Sequence, residues 1–214
     1  MRKLGVVILI VFGVLLVIGG AAGTYFYLAI YRPIASPLLA ISGARTLEQQ
    51  RLKNQADFLP PGSGEVTGAQ AAGFSAVESA VVTHLGNRAV TLEQKRVTLE
   101  QASAANALTL KATLAAFADL KPVLLSAKLV QIDAMNRANF SKEEFEWVRQ
   151  QLYAAAGVTF AQLDVSDLIS GVPDSAAVVR PFAPGGRTVD RNLELAKPLA
   201  AHLQAWTSLA FFGL

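Results

Sequence analysis

"ANFSKEEFEWVRQQLYAAAG", Ala138 to Gly157, puts three glutamates, an arginine, a tryptophan and a tyrosine inside one helix-length window. As chemistry it resembles a cluster of catalytic groups. As polymer physics it is a helix with both ends written in. Ser141 at the N-cap offers its hydroxyl to the amide of Glu144, and Glu144 has the reach to return to the cap amide, the spacing of a capping box. Phe140 before the cap and Phe145 at the fourth helical position are placed for a hydrophobic staple. Glu143, Glu144 and Glu146 fall in the first turns, where the positive end of the helix dipole favours carboxylates. Gly157 suits the left-handed position past the C-terminus. Phe145, Val148 and Leu152 form the stripe that should be buried. Each polar group thus has a structural role of about 0.3–1.5 kcal/mol. A glycosidase-type pair needs two acids facing one cleft from opposed sides, which neighbouring glutamates in one turn do not provide. The stretch predicts a helix and no catalytic residue.

The same periodicity extends upstream. Phe74, Val77, Val81 and Leu85 recur at three- and four-residue spacing, and "HLGN" (His84 to Asn87) marks an interruption before a second helical run. Leu110, Leu114 and Phe117 make a further stripe. Pro122 is suited to the first turn of a new helix, with Asp119 near its start and Leu125, Leu129 and Ile132 carrying it on. No strand-like alternation is sustained. "ISGVPDSAAVVRPFAPGGRT", residues 169–188, reads as a long Pro/Gly-rich loop. A last helix is expected from about Asp190, with Leu195, Leu199, Leu203 and Trp206 on one face and Pro198 kinking or restarting it. The fold class predicted is all-α: one N-terminal transmembrane helix plus an extramembrane helical bundle.

The transmembrane element follows from composition. Of 214 residues 52% are hydrophobic and only 16% charged, apolar for a soluble domain. Nothing from Leu4 to Tyr31 is charged, and about twenty residues are apolar or small, the length a helix needs to cross a bilayer. Tyr25, Phe26, Tyr27 and Tyr31 follow where an interfacial aromatic belt would sit. A cut after Ala22 would suit a cleaved signal, but the apolar stretch continues past that point. Gly19 and Gly23 form a G-x-x-x-G, with Gly13 and Gly20 seven apart on a similar face, and such positions let another helix approach closely. The expected organisation is an anchor over 1–31, a connector with one short helix (Thr46 and Gln49 at capping-box spacing) over 32–64, and a helical domain over 65–214. Arg2 and Lys3 before the span favour a cytoplasmic N-terminus in a bacterial inner membrane, with the domain in the periplasm.

Other chemistries find little footing. There are no cysteines, so thiolate nucleophiles, disulfides and cysteine-held metals are excluded. His84 and His202 show no metal-ligand spacing, so no metal is expected. "APGGRT" (Ala183 to Thr188) lacks the lysine and preceding strand of a phosphate loop, and no other cofactor motif is present. A net charge of +3 without a basic stripe gives no reason to expect nucleic acid.

"EEFEWVRQQLYAAAG", followed by a helix opening at Asn192-Leu193 in "DRNLELAKPLAAHL", resembles a loosely defined family of uncharacterised bacterial proteins that are single-pass, membrane-anchored and all-helical. The resemblance covers the second half of the chain, implies a helical extracytoplasmic domain and brings no catalytic residues. The expected partners are the lipid bilayer and other membrane protein subunits. The apolar "WTSLAFFGL" near the end suggests contact with such a partner through Trp206, Phe211, Phe212 and Leu214. The function expected is that of a non-catalytic accessory subunit, with an energy-transducing complex as a natural host. The alternative is a periplasmic binding or sensor module holding an apolar ligand.

Overall fold

The computed structural model describes residues 47–105, 110–163, 179–182 and 189–214. The predicted span, its packing glycines Gly13, Gly19, Gly20 and Gly23, and the aromatics Tyr25, Phe26, Tyr27 and Tyr31 lie outside the described residues, as does Thr46. Among the described residues no helix is long and apolar enough to cross a membrane.

After a helical turn over residues 47–51, the chain enters helix α1 (Gly68–Leu85) through a complete capping box. Thr67 Oγ1 accepts from the Gln70 amide at 3.1 Å and Gln70 Oε1 accepts from the Thr67 amide at 2.9 Å. The predicted stripe Phe74, Val77, Val81 and Leu85 is buried. Gly86, at φ 51°, ends the helix in a conformation that other residues adopt at a cost, which accounts for the break at "HLGN". Helix α2 (Arg88–Ala104) buries Leu92 and Leu99.

Helix α3 (Leu110–Ala138) corrects one expectation. It is continuous, and Pro122 lies inside it rather than opening a new helix. Proline removes one backbone bond and crowds the preceding turn. Here its ring is exposed and the neighbours are strong helix formers, so the helix runs through. Asp119 accordingly caps nothing and pairs with Lys95 of α2 at 3.3 Å. Ile132 is buried as expected, while Leu125 and Leu129 are only half-buried; the core face instead carries Leu120, Ala127, Ala134 and Met135. Asn139 (φ 58°) closes α3, and the Phe140 amide returns to Met135 O at 3.0 Å.

Helix α4 (Lys142–Ala155) is the opening stretch, and most of its expected devices are present. Ser141 accepts from the Glu144 amide at 3.2 Å, and Phe140 and Phe145 meet edge to face at 5.6 Å. The Val158 amide reaches Tyr153 O and Gly157 (φ 66°) reaches Ala154 O, the paired bonds of a Schellman end. One half of the capping box is missing: the Glu144 carboxylate accepts from Gln70 Nε2 at 2.7 Å instead, joining the first turns of α4 and α1. The Phe140 ring lies so close over Gly73 that a β-carbon there would sit 2.9 Å from it.

A short antiparallel ribbon follows, β1 (Phe160–Leu163) with β2 (Val179–Phe182), in register Phe160↔Phe182 to Leu163↔Val179. β2 falls within the span read as loop. Four-residue strands are too short to display sustained alternation, and Pro181 is tolerated because a two-stranded ribbon has only edges. The chain then runs through α5 (Asp190–Ala196), a 3₁₀ turn at Lys197–Leu199 containing Pro198, α6 (Ala200–Ala205) and α7 (Thr207–Phe211). The described chain is thus mostly helical. α1 packs most extensively on α3, α4 on α5, and α7 on β1 and α2.

Candidate functional site

The expected partner-contact residues lie in and against the core. Trp206, Phe211 and Leu214 are buried in the domain's own core and Phe212 is half-buried against it. The apolar tail thus finds intramolecular cover for Trp206, Phe211 and Leu214, with Phe212 partly exposed. Trp206 meets Phe74 edge to face at 6.2 Å and is stacked by His202 at 5.3 Å. Trp147 lies half-buried against Phe58 at 5.3 Å. Glu143 and Glu146 are exposed on α4. Among the described residues no three groups of metal-ligating type come together.

What does come together was not singled out in the sequence. Glu78 lies on the buried face of α1, at 1% exposure, and Arg149 on that of α4, at 6%. Arg149 donates to Glu78 Oε1 at 3.2 Å and also to the Leu214 carbonyl, and its guanidinium lies 4.9 Å from the Phe145 ring centre. Glu78 stands four residues after Phe74 and three before Val81, and Arg149 four after Phe145 and three before Leu152. Both therefore fall in the apolar stripes that periodicity had already marked. That is the signal that would have found them.

Beside this pair, Lys128 of α3 donates to Gln131 Oε1 at 2.8 Å and to the Gly213 carbonyl at 3.0 Å, and pairs with Glu48 at 3.3 Å. A buried and a partly buried cation from different helices thus grip successive carbonyls just past α7. This is the end of a helix where positive charge is favoured. Gly213, at φ 72°, turns the chain so that the Leu214 amide reaches Leu209 O at 2.9 Å.

Burial sets the electrostatics. It pushes the Glu78 carboxyl up to about 7, with Arg149 and Lys128 pulling the other way. It pulls Lys128 below the usual lysine range, opposed by Glu48. It lifts the Tyr153 phenol above its ordinary value, helped by the charge of Glu78. Three buried polar atoms in the cluster have no hydrogen-bond partner: Glu78 Oε2, Arg149 Nε and Tyr153 Oη.

On the surface the cluster continues into a clamp. Glu48 also reaches Lys142 at 3.5 Å. The Lys53 amide donates to Asn136 Oδ1 at 2.8 Å, Asn136 Nδ2 to the Arg51 carbonyl at 3.0 Å, and Asn54 Nδ2 to the Asn139 carbonyl at 2.7 Å. Residues 48–54 are thereby fastened to the end of α3 and the start of α4. Between them lies a polar cleft of about 440 Å³, lined by Glu48, Gln49, Leu52, Asn54, Gln55, Asp57, Lys142 and Glu143. A second fastening is Asn192, buried in α5, which donates to the Gly64 carbonyl at 2.8 Å and accepts from the Val66 amide at 2.7 Å.

No family model, curated protein or solved structure matches the chain. The functional reading rests on the chain's own residues.

Proposed function

We propose that the chain is a non-catalytic accessory or scaffold subunit of a larger membrane protein complex. In this reading residues 1–31 anchor it in a bacterial inner membrane and the helical domain stands in the periplasm. The clamp on residues 48–54 carries the reading. A domain that needs only tethering is served by a flexible, solvated linker. Here the stretch that leads in from the apolar N-terminal run is held to α3 and α4 by Glu48, Asn54 and Asn136. That gives the domain a defined seat on its own lead-in segment, which a subunit placed among others requires. An energy-transducing assembly, such as a photosynthetic reaction centre or a respiratory complex, is the host class we favour. The seated tail favours a second reading, a periplasmic binding or sensor module for an apolar ligand. It does so because most of the tail's apolar side chains are covered by the domain itself.

The test is native electrophoresis of mildly solubilised membranes holding the full chain. The wild type is expected in an assembly much larger than one chain. Glu48→Ala with Asn136→Ala is expected to shift it towards the free form with an unchanged circular dichroism spectrum. Migration of the wild type as a lone chain would sink the accessory-subunit reading. Protease added outside spheroplasts is expected to digest the domain, and protection until lysis would reverse the orientation.

A further inference from the structure

The eight residues Thr207 to Leu214 carry no titratable side chain, yet the buried Arg149 and the partly buried Lys128 hold the backbone oxygens of Leu214 and Gly213. The segment can answer pH through the titratable side chains beneath it. Those are Glu78 from α1, Arg149 and Tyr153 from α4, Lys128 from α3, and Glu48, which neutralises Lys128, from the turn over residues 47–51. Arg149 divides itself between Glu78 and the Leu214 carbonyl, so the state of Glu78 bears directly on the seat of the tail.

We propose that Glu78 is a proton-uptake site that governs how firmly residues 207–214 seat on the domain. With Glu78 ionised, the seated form confines a carboxylate whose Oε2 has no donor. Burying charge that is only half satisfied is costly. Lifting the tail, which covers Arg149 through the Leu214 carbonyl, lets water reach the carboxylate and relieves that cost. With Glu78 protonated the carboxylate's burial cost, which outweighs its attraction to Arg149, is gone, and Arg149 keeps the Leu214 carbonyl as its acceptor. The tail is therefore held under acid conditions and loosened as the proton leaves.

The direction follows from linkage. The seated form holds Glu78's proton up to about pH 7, whereas a solvated glutamate loses it near 4.5. Below the lower value both forms are protonated and the seat is at its firmest. Between the two values the seated form alone keeps the proton, so its advantage falls as pH rises. Above the upper value the loss is complete. A tenfold change in ratio per pKa unit sets the whole effect on the order of a hundredfold.

Amide hydrogen exchange on the full chain reads this out. The Gly213 and Leu214 amides, bonded to Ala210 O and Leu209 O, report the seat, and the amides of α5, which packs on α4 and α1, serve as the internal reference. After correction for the intrinsic pH dependence of exchange, protection of the two tail amides is expected to drop more than tenfold from about pH 5 to about pH 8, while α5 holds. In Glu78→Gln the drop should vanish. Equal pH dependence in wild type and variant would overturn the proposal. Carboxyl NMR of Glu78 in the wild type decides the matter even if the variant fails to fold. A midpoint near 7 supports the site, and one near 4.5 ends it.

Discussion

Two arginine–glutamate pairings in this chain use the same chemistry in different surroundings. On α2, Arg96 donates to Glu93 at 2.6 Å and to Glu100 at 2.6 Å, with Glu93 nearly half exposed. Between α1 and α4, Arg149 and Glu78 pair at 3.2 Å with almost no solvent contact. The bonds to Arg96 hold Glu93 below its ordinary value, while burial drives Glu78 above it. The sign of the shift is set by whether partner or desolvation dominates, not by the identity of the pair. The first pairing decorates one helix; the second joins two helices and the tail. A buried pair is weak evidence for stability in itself, but breaking it leaves a charge in the core.

The largest effect should therefore come from Arg149→Ala, which strands Glu78 and frees the Leu214 carbonyl. We expect a loss of about 3–5 kcal/mol in denaturant unfolding. The comparison sharpens with Glu78→Leu plus Arg149→Met, which removes both charges while keeping apolar volume. Such replacements are often neutral or stabilising, so the double variant should recover most of the loss. If it unfolds as readily as Arg149→Ala, the tail contact rather than the stranded charge carries the energy.

Removing the cap at Ser141 comes next. Its side chain holds the Glu144 amide at a buried position, and Ser141→Ala should lower stability by about 0.5–2 kcal/mol. Glu143→Gln, at an exposed site, should leave the unfolding midpoint within error of the wild type. A loss from Glu143→Gln as large as that from Ser141→Ala would show that more than the cap is at work in this turn.

These cases also mark what the sequence made legible. Local devices were readable because their partners lie within a few residues: Ser141 with Glu144, Phe140 with Phe145, Gly157 with the end of α4. The stripes of α1 and α4 were readable for the same reason. Glu78 and Arg149 escaped because a stripe was sought among apolar residues only, and each is a charged member of one. Their pairing spans 71 residues, a separation no local pattern encodes. The ribbon was missed because its strands are short and its register pairs positions 160 and 182 across an intervening segment. The tail's intramolecular cover was missed for a related reason. Its apolarity was plain, but whether such side chains meet a partner or their own core depends on the fold. Pro122 misled because the rule for proline is a strong preference, and α3 meets it with helix formers on either side and an exposed ring.

The smallest expected effect belongs to the surface pairing, and it completes the contrast. Arg96→Ala removes an i,i+3 and an i,i+4 contact on α2, each of the kind that contributes about 0.3–0.5 kcal/mol. Partial exposure means that salt screens part of this, so the loss should shrink when the ionic strength is raised well above physiological. Its pH dependence should run opposite to that of Glu78. Because the folded-state value of Glu93 is depressed, its contribution is present above the unfolded value near 4.5 and is lost as pH falls through the lower folded one. A pH scan of wild type against Arg96→Ala should thus show the difference closing only below about pH 4.5, the value expected of an unfolded glutamate. The Glu78→Gln comparison should change between about pH 4.5 and about pH 7. If both differences change over the same window, the two pairs share one environment and the contrast between surface and core collapses.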